Sequence, residues 1–302
     1  MRQRLDGFAI ATLIMLTAMW GVQQVTVKLA ITGGLPTTTQ AALRSLGAAI
    51  CIALWIGLRQ GRAGLTDLLA RPTLLPGAII AVLFAGEFLA LYQGVRLTTA
   101  SRAVMFLYSA PFFTALGAHL WLPGERMRWR QAAGLVIAFT GVGIAFSAGL
   151  AAGGGGALGD MLCLLAGALW GATIIVIKAT PVLIRAPAAK VLWLQLAGSA
   201  PLLLGAAALT GDFAPLPAPS ATARLCLAYQ TFGVATVSFL AWFNLLSRYP
   251  ANLLSSFTLL GPIFGTLSGV VMLGDPLGWP LLAGLAAISI GLRLVNTKGP
   301  AT

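Results

Sequence analysis

The stretch "AMWGVQQVTVK", Ala18 to Lys28, places a Trp-Gly pair, two glutamines and a lysine inside an apolar segment. The stretch "LWGATIIVIK", Leu169 to Lys178, repeats the frame: Trp-Gly, six residues, then Lys. Glycine and proline matches continue in almost the same register, at an offset of about 150 residues, as far as Gly141 and Gly291. So many matches in one frame indicate that the chain consists of two copies of one unit.

The composition is that of a membrane protein. Of the 302 residues, 58% are hydrophobic and only 9% are charged, whereas a soluble domain carries about 25% charged residues. A span needs about 20 mostly apolar residues. Ten such spans are predicted, at about 7–29, 36–58, 73–96, 99–121, 129–148, 159–179, 188–209, 223–247, 250–273 and 278–296. We therefore predict an all-α membrane protein with ten transmembrane helices.

The positive charges predict the orientation. The net charge is +12, yet no Lys/Arg run or nucleic-acid-binding motif accompanies it, so a nucleic-acid partner is not expected. With the N-terminus inside, 14 of the 19 Lys and Arg residues fall in cytoplasmic segments and 4 in outer ones. This bias predicts a multi-pass membrane protein with both termini in the cytoplasm.

The repeat divides the chain into residues 1–150 and 151–302, each with five predicted spans. Because five is odd, the second copy enters the membrane from the opposite side. Inverted repeats of this kind are typical of transporters, whose substrate site lies near the midplane between the halves. The glycine-rich stretch at about 149–158 is expected to be a flexible periplasmic linker.

The layout resembles a known superfamily. The two sets of five spans, their Trp-Gly starts, the prolines of spans four and nine and the Gly-acid turn before the last span of each half resemble the drug/metabolite transporters. Within them the chain is similar to the EamA-type exporters, among them bacterial aromatic amino acid exporters. The resemblance implies ten helices, a central cavity and export of small metabolites.

The two repeated lysines are the first candidate site residues. Trp20, Gln24 and Lys28 follow i, i+4, i+8, so one helix stripe carries all three, and Trp170 and Lys178 lie on the matching stripe. Two roles are open for the lysines. Either their ammonium groups reach the lipid headgroups, or they stand at the two mouths of one cavity and attract carboxylates.

Four polar residues inside the spans are further candidates. Gln23 and Gln24 should face protein or water, because lipid offers an amide no partner; they either bind substrate or join helices. Glu87 lies deep in span three and Arg44 in span two. They either form a structural ion pair, or Glu87 takes up a proton or contacts a substrate ammonium.

Aromatic residues within the spans suggest a pocket for bulky side chains, although packing is an equally ordinary role for each. The candidates of this class, with one amide, are Trp20, Tyr92, Tyr108, Trp170, Phe239, Phe243 and Asn244. Pro111 and Pro262 should kink spans four and nine, as gates or as static bends. Glycines seven apart in spans five and ten predict close helix packing.

The expected function is that of a secondary transporter that exports amino acids, aromatic ones among them, or related amphipathic metabolites. Alternatives are a transporter of drugs, sugars or phosphorylated compounds with the same fold, and a passive facilitator. An enzyme is not expected, because the single histidine and scattered cysteines offer no metal or nucleophile motif, and no P-loop is present. The expected partners are a small-molecule substrate, the bilayer and protons, with no cofactor; the oligomeric state stays open.

Overall fold

Every regular element is helical in the part of the chain that the structure describes. This computed structural model describes residues 6–122, 129–151, 154–212, 218–248 and 260–296. The first half contains α1 (Gly7–Thr32), α2 (Thr37–Leu68), α3 (Arg71–Leu97), α4 (Ala100–Leu107), α5 (Ala110–Trp121) and α6 (Trp129–Ala151). The second contains α7 (Gly154–Ala179), α8 (Pro181–Ile184), α9 (Ala188–Leu209), α10 (Ala221–Ala228), a π-helical segment (Tyr229–Ser238), α11 (Phe239–Arg248), α12 (Leu260–Leu273) and α13 (Trp279–Asn296).

The helices confirm the prediction of an all-α membrane protein. Seven stretches in the described part of the chain are long and apolar enough to cross a bilayer, and three shorter apolar helices accompany them, at Ala132–Ile144, Leu260–Leu273 and Trp279–Gly291. A helix is the form expected there, because it satisfies its backbone hydrogen bonds without water. The count of ten crossings stays a prediction.

A turn interrupts the helix of span four. The helix α4 ends at Leu107, and Tyr108 and Ser109 form a turn before α5 starts. Pro111 stands in the first turn of α5, where its missing N–H would have no partner in any case. Pro262 lies on α12 and is buried. The part of span nine that precedes Leu260 lies outside the described residues.

Two other elements depart from the predicted spans. The π-helical segment Tyr229–Ser238 interrupts span eight, and sequence periodicity gave no sign of it. The helix α2 bends at Gly61, whose φ of 64° and ψ of −155° suit glycine alone, so its straight part ends near the predicted end of span two.

The stretch at 149–158, predicted to be a flexible linker, is helical at its described residues. The helix α6 extends to Ala151 and α7 already begins at Gly154. Glycine lowers helix stability by about 1 kcal/mol relative to alanine, but a helix still pairs the backbone N–H and C=O groups near a membrane surface. The division of the chain at residue 150 stays a prediction.

The helices pack across the two halves of the chain. The main contacts between halves join α6 to α13, α2 and α3 to α9, α1 and α4 to α12, and α3, α4 and α5 to α7. The glycine prediction is confirmed for α6 and α13. A Cβ on Gly141 would lie 2.8 Å from the carbonyl oxygen of Gly284, and one on Gly291 would lie 2.5 Å from that of Gly134. Only glycine allows these two backbones to approach so closely.

Candidate functional site

Buried polar side chains form a layer across α1, α2 and α3. Gln24, Arg44 and Glu87 are at most 6% exposed. At 1.5 Å per residue, each lies about 10–15 Å from the helix ends that meet where residues 33–36 join α1 to α2. We call this end of the bundle the α1/α2 end. The layer therefore lies well inside the bundle, between that end and the middle of the helices.

A chain of hydrogen bonds lies between this layer and the α1/α2 end. The Tyr92 hydroxyl donates to Gln230 Oε1 at 2.8 Å, and Gln230 Nε2 donates to Gln40 Oε1 at 3.2 Å. Gln40 Nε2 then donates to the carbonyl oxygen of Leu35 at 3.0 Å. All three side chains are at most 1% exposed. This network joins α2 and α3 to the π-helical segment of the second half, and neither Gln40 nor Gln230 was a candidate from the sequence.

Arg44 and Glu87 are buried with polar atoms that have no partner. Arg44 is 0% exposed, and none of its three side-chain nitrogens makes a hydrogen bond. Its guanidinium stacks over the Phe88 ring, 4.1 Å from the centroid. Glu87 Oε2 also lacks a hydrogen-bond partner. The two groups interact electrostatically, but the described residues contain no ion pair between them within 4.0 Å. The ion pair considered from the sequence is therefore not formed.

The glutamines of α1 are buried as expected. Gln23 is 6% and Gln24 2% exposed, and Gln24 Oε1 has no hydrogen-bond partner. The Ser45 hydroxyl, next to Arg44, is buried and unpartnered as well. Such groups are rare in protein interiors, because an unpaired buried polar atom costs about 1–3 kcal/mol.

Lys28 has a role that the sequence did not suggest. Its ammonium group donates to the carbonyl oxygen of Val95 at 2.7 Å and to that of Thr98. Both carbonyls belong to the C-terminal end of α3, where a positive charge offsets the helix dipole. The lysine thus joins α1 to α3, and its roles toward headgroups or a substrate carboxylate stay predictions. Its partner in the repeat, Lys178, is exposed in the last turn of α7.

A second charged cluster joins the halves at the α1/α2 end. The guanidinium of Arg102 on α4 contacts both carboxylate oxygens of Asp160 on α7, through Nε at 3.1 Å and through Nη2. The Thr98 hydroxyl also donates to Asp160, at 2.7 Å. On the other side of α4, Asp275 Oδ2 accepts from the backbone N–H of Ser101 at 2.8 Å and so caps the helix. The sequence offers one sign of this cluster, since Asp160 is an aspartate at the start of an apolar span.

The aromatic candidates fall into two groups, one at the π-helical segment of span eight and one at the turn in span four. Trp20 stacks on Phe239 at 5.9 Å, meets the edge of Trp242 at 5.4 Å and donates its indole N–H to Ser238 at 2.8 Å, where the π-helical segment ends. Tyr108, in the break of span four, packs edge-on against the ring of Trp170 at 6.1 Å.

Tyr108 also contacts span nine. Its ring lies so close to Gly261 that a Cβ there would approach the ring and hydroxyl to 2.2–2.4 Å. Gly261 is therefore the neighbour that gives this aromatic side chain its space.

Two more candidates lie on α11. Asn244 is exposed, and the side chain of Phe243 lies outside the description. Among the described residues there is no group of three or more His, Cys, Asp or Glu that could hold a metal. The structure thus brings Tyr92 together with the second half through Gln230, and Trp20 with Phe239, whereas Lys178 and Asn244 lie on exposed positions. A part in substrate binding stays a prediction for all of these residues.

Comparison with known proteins gives the family. The sequence model of the EamA-like transporter family matches the chain twice, at residues 7–147 and 157–297. A relative from Salmonella typhimurium named "Probable amino-acid metabolite efflux pump" is 30% identical over 96% of this chain and 94% of its own. One of the same name from Escherichia coli is 27% identical over 93% of this chain and 92% of its own.

A solved structure, described only as the crystal structure of a protein, supports the fold. It has a TM-score of 0.67 and 21% identity, and the match covers 96% of this chain and 98% of that one. The two matches to one sequence model agree with the two repeats found in the sequence. The chain belongs to the EamA-like transporter family.

Proposed function

We propose that the protein is a secondary transporter of the bacterial inner membrane that exports amino acids, aromatic ones among them, or related small amphipathic metabolites by alternating access. The names of the Salmonella and Escherichia relatives support the substrate class. Family membership supports transport.

The observation that carries the proposal is the layer of unpaired polar groups on α1, α2 and α3. Gln24, Arg44 and Glu87 all hold buried polar atoms without partners inside helices that are otherwise apolar. A scaffold gains nothing from such groups, since charged residues at membrane depth are costly and usually serve function. A polar substrate that passes through the layer would supply the missing partners.

Two irregular helices support alternating access. Span four breaks at Tyr108, and span eight is π-helical up to Ser238. Helix breaks and π-helical turns are places where a helix bends at low cost. Each is held by one of the repeated tryptophans, Trp170 and Trp20 respectively. We assign Pro111, in the first turn of α5, to the hinge of span four, and Pro262, on α12, to a gate in span nine.

Proton coupling is assigned to Glu87. It is buried on α3 with Arg44 as its electrostatic neighbour, so gain or loss of a proton would change the charge of the layer. The Glu87→Gln variant should then transport at a rate that no longer depends on an imposed proton gradient. A dependence equal to that of the unmodified protein would contradict this role.

The test of the function is reconstitution of the purified protein in liposomes. Efflux of each of the twenty amino acids is measured with and without a proton gradient, against protein-free liposomes. Gln24→Leu should slow transport, and Gln60→Leu, at an exposed position on α2, serves as its control. Transport of no amino acid would defeat the substrate class. Efflux that follows the substrate gradient alone would indicate a facilitator.

A further inference from the structure

Arg44 is a buried cation that has no hydrogen-bond partner in the described part of the protein. Its side chain is 0% exposed, and its three nitrogens carry five N–H donors with no acceptor in reach. The guanidinium stacks on the face of Phe88, 4.1 Å from the ring centroid. Buried charges in proteins are as a rule paired, and the planar guanidinium can form two parallel hydrogen bonds to a carboxylate, a bidentate contact. The missing partner is therefore a carboxylate or a group of similar shape.

Glu87 presents the opposite charge at nearly the same place. It precedes Phe88 on α3 and is 6% exposed, and its Oε2 has no hydrogen-bond donor. A direct ion pair with Arg44 would satisfy both residues, yet no nitrogen and oxygen of the two lie within 4.0 Å, although their charges interact. A ligand that carries both charges on neighbouring atoms would satisfy both side chains at once.

The surroundings favour an apolar side chain on that ligand. Phe84, Phe88 and Tyr92 follow each other on one face of α3, with ring centroids 4.6 Å and 5.9 Å apart. The Phe88 ring in the middle is the one that carries Arg44. Aromatic ladders offer edge and face contacts to another ring or to a bulky aliphatic group.

Lys28 does not compete for the same anion. Its ammonium group is taken up by two carbonyl oxygens at the end of α3. Arg102 is paired with Asp160. Of these three cations, Arg44 is the one whose donors have no protein acceptor.

We infer that Arg44 and Glu87 together form the receptor for a zwitterionic α-amino acid, in which Arg44 binds the carboxylate and Glu87 the ammonium group. The inference rests on the proposed function and names the two side chains that give it selectivity. An amino acid without its carboxylate, or without its ammonium charge, would leave one of the two charges unpaired again.

The experiment compares ligands that lack one charge. Competition with transport of labelled L-phenylalanine is measured in proteoliposomes for phenylalanine, phenylalaninamide and N-acetylphenylalanine. In the unmodified protein, both analogues should bind about ten- to a hundredfold more weakly, the value of one charged hydrogen-bond contact. Arg44→Gln should lower the affinity for phenylalanine to that for the amide, which itself stays unchanged. Glu87→Gln should lower the affinity for phenylalanine to the affinity for N-acetylphenylalanine.

Controls make the result decisive. Arg59→Gln removes an exposed arginine from the same helix and should leave all three affinities unchanged. Arg44→Lys keeps the positive charge but loses the planar guanidinium and its parallel N–H donors. It replaces Arg44→Gln if that variant does not elute as a single species on size exclusion. If another amino acid is the better substrate, its own amide and N-acetyl derivative are used.

The failure of the inference differs from that of the proposed function. If Arg44→Gln weakens phenylalanine and its amide equally, or leaves the preference for phenylalanine intact, Arg44 does not bind the carboxylate and the inference is overturned while amino-acid export stands. If the unmodified protein transports no amino acid, both the proposed function and the inference that rests on it are wrong.

Discussion

Arg44→Met is expected to stabilise the protein in the absence of substrate. A charged side chain at membrane depth costs about 2.5–3.5 kcal/mol on insertion scales. The stacking of the guanidinium on Phe88 offsets about 0.5–2 kcal/mol of that cost. No hydrogen bond is lost, because none of the Arg44 nitrogens makes one. The net gain is about 0.5–3 kcal/mol, which corresponds to a rise of a few degrees in Tm.

Arg102→Met should have the opposite effect. Its guanidinium holds Asp160, whose side chain is 0% exposed, and after the substitution the Thr98 hydroxyl alone would face that carboxylate. Breaking a buried pair by removing one partner costs about 3–5 kcal/mol. The two variants thus make the same chemical change at an unpaired arginine and at a paired one, which are 0% and 11% exposed.

The assay is thermal unfolding of the purified variants in one detergent, followed by tryptophan fluorescence and by size exclusion after heating. Arg59→Met, at an exposed position of α2, controls for the loss of a positive charge as such. A fall in Tm for Arg44→Met, comparable to that for Arg102→Met, would mean that the buried guanidinium has a partner in the folded protein. The argument for an open anion site would then be refuted.

Three further variants test the packing. Tyr92→Phe should destabilise the protein by about 1–3 kcal/mol, since Gln230 Oε1 loses its donor; an unchanged Tm would show that the network carries no stability. Gly61→Ala should cost about 1–3 kcal/mol because its φ is 64°, measured in the same thermal assay, and a neutral result would contradict the bend in α2. Gly291→Leu should abolish the monodisperse elution peak, because a Cβ there already meets Gly134, whereas Gly143→Leu, with nothing within 4 Å, should not.

The sequence predicted what depends on composition and period. Apolar spans, the two repeats and the close approach of α6 and α13 all follow from patterns within a single helix or between equal positions. The role of Lys28 could not be predicted, because it depends on which carbonyl oxygens a neighbouring helix brings near. The π-helical segment has no compositional sign. The chain from Tyr92 through Gln230 to Gln40 escaped for the same reason, since glutamines 190 positions apart meet only in the folded bundle.

The paired Arg102 and the unpaired Arg44 lie at different levels of the bundle, and this difference bears on transport. At the α1/α2 end, Arg102 is paired with Asp160, and Asp275 with the Ser101 backbone, so the two halves are joined there. Nearer the middle, the donors of Arg44 have no acceptor. A substrate that binds Arg44 could leave through the α1/α2 end only if those contacts between the halves separate. The energy for that separation is available if the substrate offsets the cost of the unpaired arginine, because a ligand shifts a conformational equilibrium only by its differential affinity for the two states.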